Sequence, residues 1–220
     1  CAFLDLLNGG EQAYFRNAFA SGEQKIAING LVWMGDANYM LDQVEDKITS
    51  GFNTIKLKVG AIDWTKEIQI LETIRKRYDK SEITIRLDAN GAFKTTEALE
   101  KLHVLQQFDI HSIEQPIKPG QTEFMAELCE HTPVPIALDE ELIGIIDLKE
   151  KEQLLTNIKP HFIILKPSLQ GVISGSKEWI DLAEKNNIAV WMTSALESNI
   201  GLNAIAQLTA EYQNNLPQGL

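Results

Sequence analysis

Cysteine is scarce in this chain: two in 220 residues, Cys1 and Cys129. They are far apart, and neither belongs to a C-x-x-C pair or a zinc pattern, so the expectation is two reduced thiols in a cytoplasmic protein. Positive charge is short as well. Twenty Lys and Arg face 31 Asp and Glu, for a net charge of −11. Without a basic run, a nucleic-acid groove or an anionic membrane is excluded as the main partner. No apolar stretch is long enough to span a bilayer and no signal peptide is visible. No glycine-rich phosphate loop follows any strand-like run, which counts against a doubly wound nucleotide-binding sheet.

What the chain does have is a rhythm. Five ionisable residues close apolar, strand-like runs: Lys58 (TIKLKV), Asp88 (ITIRLDAN), Glu114 (IHSIEQP), Asp139 (PIALDEE) and Lys166 (FIILKPS). They lie 30, 26, 25 and 27 residues apart. One strand, one helix and two loops occupy about that length. Strands are predicted at 25–34, 53–59, 83–88, 110–114, 134–139, 162–166 and 188–193. Helices are predicted at 39–50, 63–78, 97–107 (capped by Thr95 or Thr96), 123–129, 147–155, 176–185 and 200–212. Short continuous apolar strands alternating with helices describe a parallel sheet buried on both faces. The fold class is therefore α/β, a parallel TIM-like (β/α) barrel, with an eighth strand expected beyond Leu220. In such a barrel the strand ends converge on one face, where active sites sit.

Asp88, Glu114 and Asp139 come from consecutive strands, which run about 4.8 Å apart. Three carboxylates so placed can meet around one cation. An all-oxygen donor set favours Mg²⁺, or Mn²⁺, over zinc. Alternatively, any one of them is an ordinary acid at a strand end. Lys56 and Lys58 are two residues apart on a strand and point to one side, expected to be the barrel interior. Each is expected to depress the other's pKa, so that Lys58 becomes a base near neutral pH. Lys166 should face Lys58 across the barrel as a second acid/base or as a cation that stabilises an anion. Asn90 and Glu140 are expected to support the metal ligands, and Ser194, Leu196 and Glu197 to line a substrate site. Ser198 and Asn199 are read as a helix cap. His103, His111, His131 and His161 are read as structural or surface residues at the opposite end.

KLK, LDANGAF, IEQP, ALDEEL and LKPS, in this order and spacing over nearly the whole chain, resemble the muconate-lactonising subgroup of the enolase superfamily. LKPSLQG, TSALESNIGL and the final PQGL are most similar to its o-succinylbenzoate synthase branch. The resemblance implies a modified barrel preceded by an α+β capping domain whose loops close the site. Residues 1–24 are then expected to be the end of a capping-domain helix with its linker, and 25–220 the catalytic barrel, truncated before the eighth strand. The start at Cys1 and the unfinished LPQGL lead to the same expectation of a fragment, which leaves activity of the barrel alone open. The implied reaction, in menaquinone biosynthesis, is Mg²⁺-dependent dehydration of 2-succinyl-6-hydroxy-2,4-cyclohexadiene-1-carboxylate through an enediolate. In it Asp88, Glu114 and Asp139 hold the metal, Lys58 removes the α-proton, Lys166 stabilises the anion and Lys56 supports Lys58. A small-molecule carboxylate is the expected partner. N-acylamino-acid racemases and dipeptide epimerases share the first step, and a non-catalytic barrel used for binding is the reading from another class.

Overall fold

The computed structural model describes residues 2–212 and 214–220; Cys1, and with it half of the thiol reading, lies outside the described residues. Seven strands pair in chain order, each parallel to the next. They are β1 (Gly30–Val32), β2 (Thr54–Lys58), β3 (Thr84–Asp88), β4 (Ile110–Glu114), β5 (Ile136–Leu138), β6 (Phe162–Leu165) and β7 (Ala189–Met192). The first helix is α1 (Ala2–Leu7). Between and after the strands run α2 (Ala37–Thr49), α3 (Trp64–Arg77), α4 (Thr95–Leu105), α5 (Thr122–His131), α6 (Leu148–Ile158), α7 (Val172–Lys185) and α8 (Asn199–Glu211).

The strands form where one face is apolar enough to be buried under the helices. Ile55, Leu57, Ile85, Leu87, Ile113, Ile136, Ile163 and Leu165 are essentially inaccessible and pack against helix residues such as Val44, Ile70, Leu71, Leu102 and Leu155. Acidic caps start several helices. Asp36 accepts from the Tyr39 N–H at 3.0 Å, Asp63 from Thr65 at 3.0 Å and Asp147 from Lys149 at 2.9 Å. For α4 the expected threonine cap is corrected. Lys94 holds the N-cap position, and Glu97 reaches back to accept its N–H.

Three further corrections concern the ends of elements. β1 is shorter than predicted, because before Gly30 only Ile28 makes an isolated bridge. The helix predicted from Ser176 begins at Val172, straight after Gly171 in the left-handed region. The eighth strand position, expected beyond Leu220, is already reached by Gln218 and Gly219. Gln218 pairs with Ile28 and Gly219 with Thr193, both in parallel sense. The Gln218 N–H donates to Ala27 O and the Asn29 N–H to Gln218 O, while Gly219 donates to Met192 O and Ser194 to Gly219 O. One rung thus links β7 to β1 and closes the ring.

Residues 12–17 are tied to α8. Gln207, buried, accepts from the Tyr14 and Phe15 N–H groups at 2.8 and 3.1 Å and donates to Gln12 O at 2.8 Å. No helix among the described residues is long and apolar enough to cross a membrane.

Candidate active site

Register sets the site. Lys56 lies beside Arg86, Lys58 beside Asp88, and Asp88 beside Glu114 across β2, β3 and β4. Alternation then points all of these toward the barrel axis. Asp139 and Lys166 follow directly on β5 and β6.

The five expected strand-end residues gather at the same end of the barrel. Asp88 Oδ2 is shared by Lys58 Nζ at 2.6 Å and Lys56 Nζ at 2.8 Å, and Lys56 also reaches Glu114 Oε2 at 2.5 Å. Lys166 Nζ pairs with Asp139 Oδ2. The three acids are almost wholly buried, and the lysine side chains are 12–19% exposed. The carboxylates do not meet around one point, because Lys56 stands between Asp88 and Glu114. Among the described residues no three acidic, His or Cys side chains are arranged as a metal centre. The donor set nevertheless fits a hard cation: it is all oxygen, and Asp139 Oδ1 is buried with no hydrogen-bond partner among the described residues.

Electrostatics differ from the expectation for Lys56. Burial lowers its pKa, but Glu114 and Asp88 outweigh burial and raise it above the ordinary lysine value. The alternative reading of the lysine pair, ammonium groups paired with acids across the barrel, describes Lys56. Burial pushes Asp88 up, yet Lys56 and Lys58 hold it at about 2. Glu114 is raised well above the usual range by burial, with Lys56 opposing and Asp88 and Asp139 adding to the rise.

The supporting residues fall into two groups. Asn90 joins the cluster: it accepts from Lys58 Nζ at 2.7 Å and donates to Glu140 Oε1 at 2.8 Å. On the loop after β7, Leu196 is 80% exposed and has a φ of 62°. Glu197 accepts from the Ala195 N–H at 2.7 Å and from Ser168 Oγ, tying this loop to the one after β6. The Ser194 N–H is taken by Gly219 O at 3.1 Å. Ser198 holds the N-cap position without a side-chain cap bond, and Asn199 is the first residue of α8.

The motif after β3 is laced onto the one after β4. Ala89, Gly91 and Phe93 N–H groups donate to Glu114, Gln115 and Pro116 carbonyls at 3.0, 2.7 and 3.0 Å. Gly91, at φ 73°, leaves no room for a side chain: a Cβ there would sit 2.9 Å from Lys118 Cα.

Arg86 was not singled out from the sequence, although it is two residues before Asp88 and so on the same face. It is 1% exposed, donates to Pro217 O at 2.6 Å and lies over the Trp191 ring at 4.1 Å. Burial pulls its pKa down to about 10 against the pull of Glu114. His111 stacks on Phe162 at the far end of the barrel, and burial, aided by Arg86, lowers its pKa to about 4. His103 and His131 are exposed on α4 and α5, and His161 Nδ1 accepts from the Ile136 N–H.

A parallel barrel with lysines flanking buried acids at its strand ends defines a class, and residues 39–219 match the enolase C-terminal domain-like family model. The chain belongs to the enolase C-terminal domain-like family. It is 50% identical over 219 residues to an o-succinylbenzoate synthase from Desulfotalea psychrophila, covering all of this chain and 59% of that protein. The crystal structure of MenC from the same organism superposes with a TM-score of 0.93 at 49% identity, over 99% of this chain and 60% of that one. An L-Ala-D/L-Glu epimerase from Bacillus subtilis is 27% identical over 177 residues, covering 80% of this chain and 47% of the epimerase. The chain thus spans about half to six-tenths of the length of these relatives.

Proposed function

We propose that this chain is the catalytic barrel of an o-succinylbenzoate synthase, converting 2-succinyl-6-hydroxy-2,4-cyclohexadiene-1-carboxylate into o-succinylbenzoate and water. The observation that carries the reading is the pairing of 50% identity to such a synthase with two lysine amines at opposite ends of a row of buried carboxylates. In this reading Asp88, Glu114 and Asp139 hold Mg²⁺, with Mn²⁺ as the substitute. A cation held there would supply positive charge to stabilise the substrate carboxylate as its α-carbon loses a proton.

Lys58 Nζ, in its unprotonated form, accepts the proton α to that carboxylate, and the electron pair moves toward the carboxylate. The pair then returns to form the ring double bond as the C–O bond breaks. Lys58 gives its proton to the departing oxygen, which leaves as water. Lys56 keeps its charge beside Lys58 and fixes Asp88 and Glu114. The Lys166 ammonium faces the developing anion from the other side. Aromatisation drives the step, so the residues need mainly to hold charge and one proton. Residues 1–24 are, in this proposal, the end of a capping-domain helix and its linker.

The test is turnover of the cyclohexadiene by the full-length protein with Mg²⁺ and with EDTA. Turnover abolished by EDTA and restored by Mg²⁺ is expected. Epimerisation of N-succinyl amino acids without consumption of the diene would assign the site to 1,1-proton transfer instead.

A further inference from the structure

Gln115 follows Glu114 and is fully buried, with φ 40°, in the left-handed region where non-glycine residues are uncommon. Its side chain forms four hydrogen bonds. Oε1 accepts from the Asp139 and Glu141 N–H groups, both at 3.3 Å. Nε2 donates to Ile117 O and to Glu141 Oε2, both at 3.0 Å. The other Glu141 oxygen accepts from the Gly120 N–H at 2.9 Å. The backbone joins in, since the Gln115 N–H donates to Ala137 O at 2.9 Å. One carboxamide therefore connects the end of β4, which carries Glu114, to the backbone of Asp139 itself. Only a group with an acceptor on one side and a donor on the other satisfies this arrangement.

We propose that Gln115, acting with Glu141, is a positioning residue that sets Asp139 relative to Glu114 and thereby sets affinity for the divalent cation. The inference rests on the metal reading made under the proposed function. Asp139 and Glu114 are neighbouring buried acids, and the β4–β5 ladder pairs Glu114 with Ala137 but β5 stops at Leu138, one residue short of Asp139. The Gln115 amide restrains the gap between the two acids from beneath. Gln115→Glu keeps the acceptor but turns the donor into an oxygen facing the Glu141 carboxylate. Adding Glu141→Gln puts a donor back on the opposite partner and leaves Ile117 O as the only unrestored bond.

The experiment measures Mn²⁺ dissociation constants by electron paramagnetic resonance on the full-length protein, without substrate. Expected are a loss of about tenfold or more in Gln115→Glu and recovery of most of it in the Gln115→Glu/Glu141→Gln double variant. Near-ultraviolet circular dichroism reports whether each variant is folded. Should Gln115→Glu not fold, Glu141→Gln takes its place. Its amide serves the Gly120 N–H or the Gln115 amide but not both, and a loss of about threefold is expected. Wild-type Mn²⁺ affinity in the folded single variants, with weakened affinity in Asp139→Asn, would overturn the positioning role and leave the metal reading standing. Equal losses in the single and double variants would overturn it too. No Mn²⁺ binding by the wild type would remove the metal reading and this inference with it.

Discussion

Lys56 and Lys58, two residues apart on β2, donate to the same oxygen, Asp88 Oδ2, at 2.8 and 2.6 Å. Two ammonium groups on one carboxylate oxygen make a short charge ladder. Lys56 extends it to Glu114, which sits next to Asp139 with its own lysine partner, Lys166. A cation held by Asp88 and Glu114, as proposed above, would compete with Lys56 for their oxygens.

Lys56→Met removes the ammonium between two buried acids. Breaking a buried ion pair by deleting one partner costs about 3 kcal/mol or more. The metal-free variant is expected to melt several degrees below the wild type, and Mg²⁺ is expected to raise its melting temperature more than it raises the wild type's. Calorimetry with and without Mg²⁺ checks this. An equal Mg²⁺ shift in both proteins would show that Lys56 and the cation do not share ligands.

Lys58→Ala in the full-length protein is expected to lower diene turnover by about 10²–10⁴-fold, the usual share of a general base. Mn²⁺ affinity should change far less, because the three proposed ligands Asp88, Glu114 and Asp139 are untouched. Loss of metal affinity to the same extent as turnover would reassign Lys58 to a purely structural role.

His111 makes stability depend on pH. Its folded pKa is about 4, below the ordinary value of 6.5, because burial and then Arg86 disfavour the charged ring. Unfolded chains therefore bind a proton between these values that folded chains do not. The contribution is fully present above about pH 6.5 and is lost as pH falls toward 4. His111→Leu is expected to flatten the decline of melting temperature between pH 7 and 4.5. An unchanged slope would show that other groups carry it.

Gln207 holds residues 12–15 against α8 through three hydrogen bonds. Gln207→Leu leaves the buried Tyr14 N–H without its acceptor, which costs about 1–3 kcal/mol. Limited proteolysis is expected to cut first within residues 8–24 in this variant. Cleavage elsewhere at the wild-type rate would mean that the segment is held by other contacts.

The strand ends were legible because each joins a strong apolar run to one charged residue, and because period-two alternation fixes the face. Lys58, Asp88, Glu114, Asp139 and Lys166 all follow that rule. Arg86 follows it as well, but it sits mid-strand, where attention to run ends passes it over. Gln115 carries no charge, and its role depends on backbone groups 24 and 26 residues away, which pattern does not reveal. The pKa of Lys56 was misjudged for a related reason: carboxylates on two neighbouring strands outweigh its sequence neighbour. The eighth-position rung was read only as the approach to a later strand, because Gln218 and Gly219 form no apolar run and hold their place by pairing on both sides.

That rung has a consequence for how the molecule behaves in company. Gln218 and Gly219 occupy backbone donors and acceptors of both β1's approach and the end of β7. Chains ending at Asn215 would expose two parallel margins about one strand apart, each ready to take a strand from a neighbour. Such chains would change from a closed ring into a ribbon that polymerises, and light scattering during refolding would rise with concentration where the longer chain stays clear.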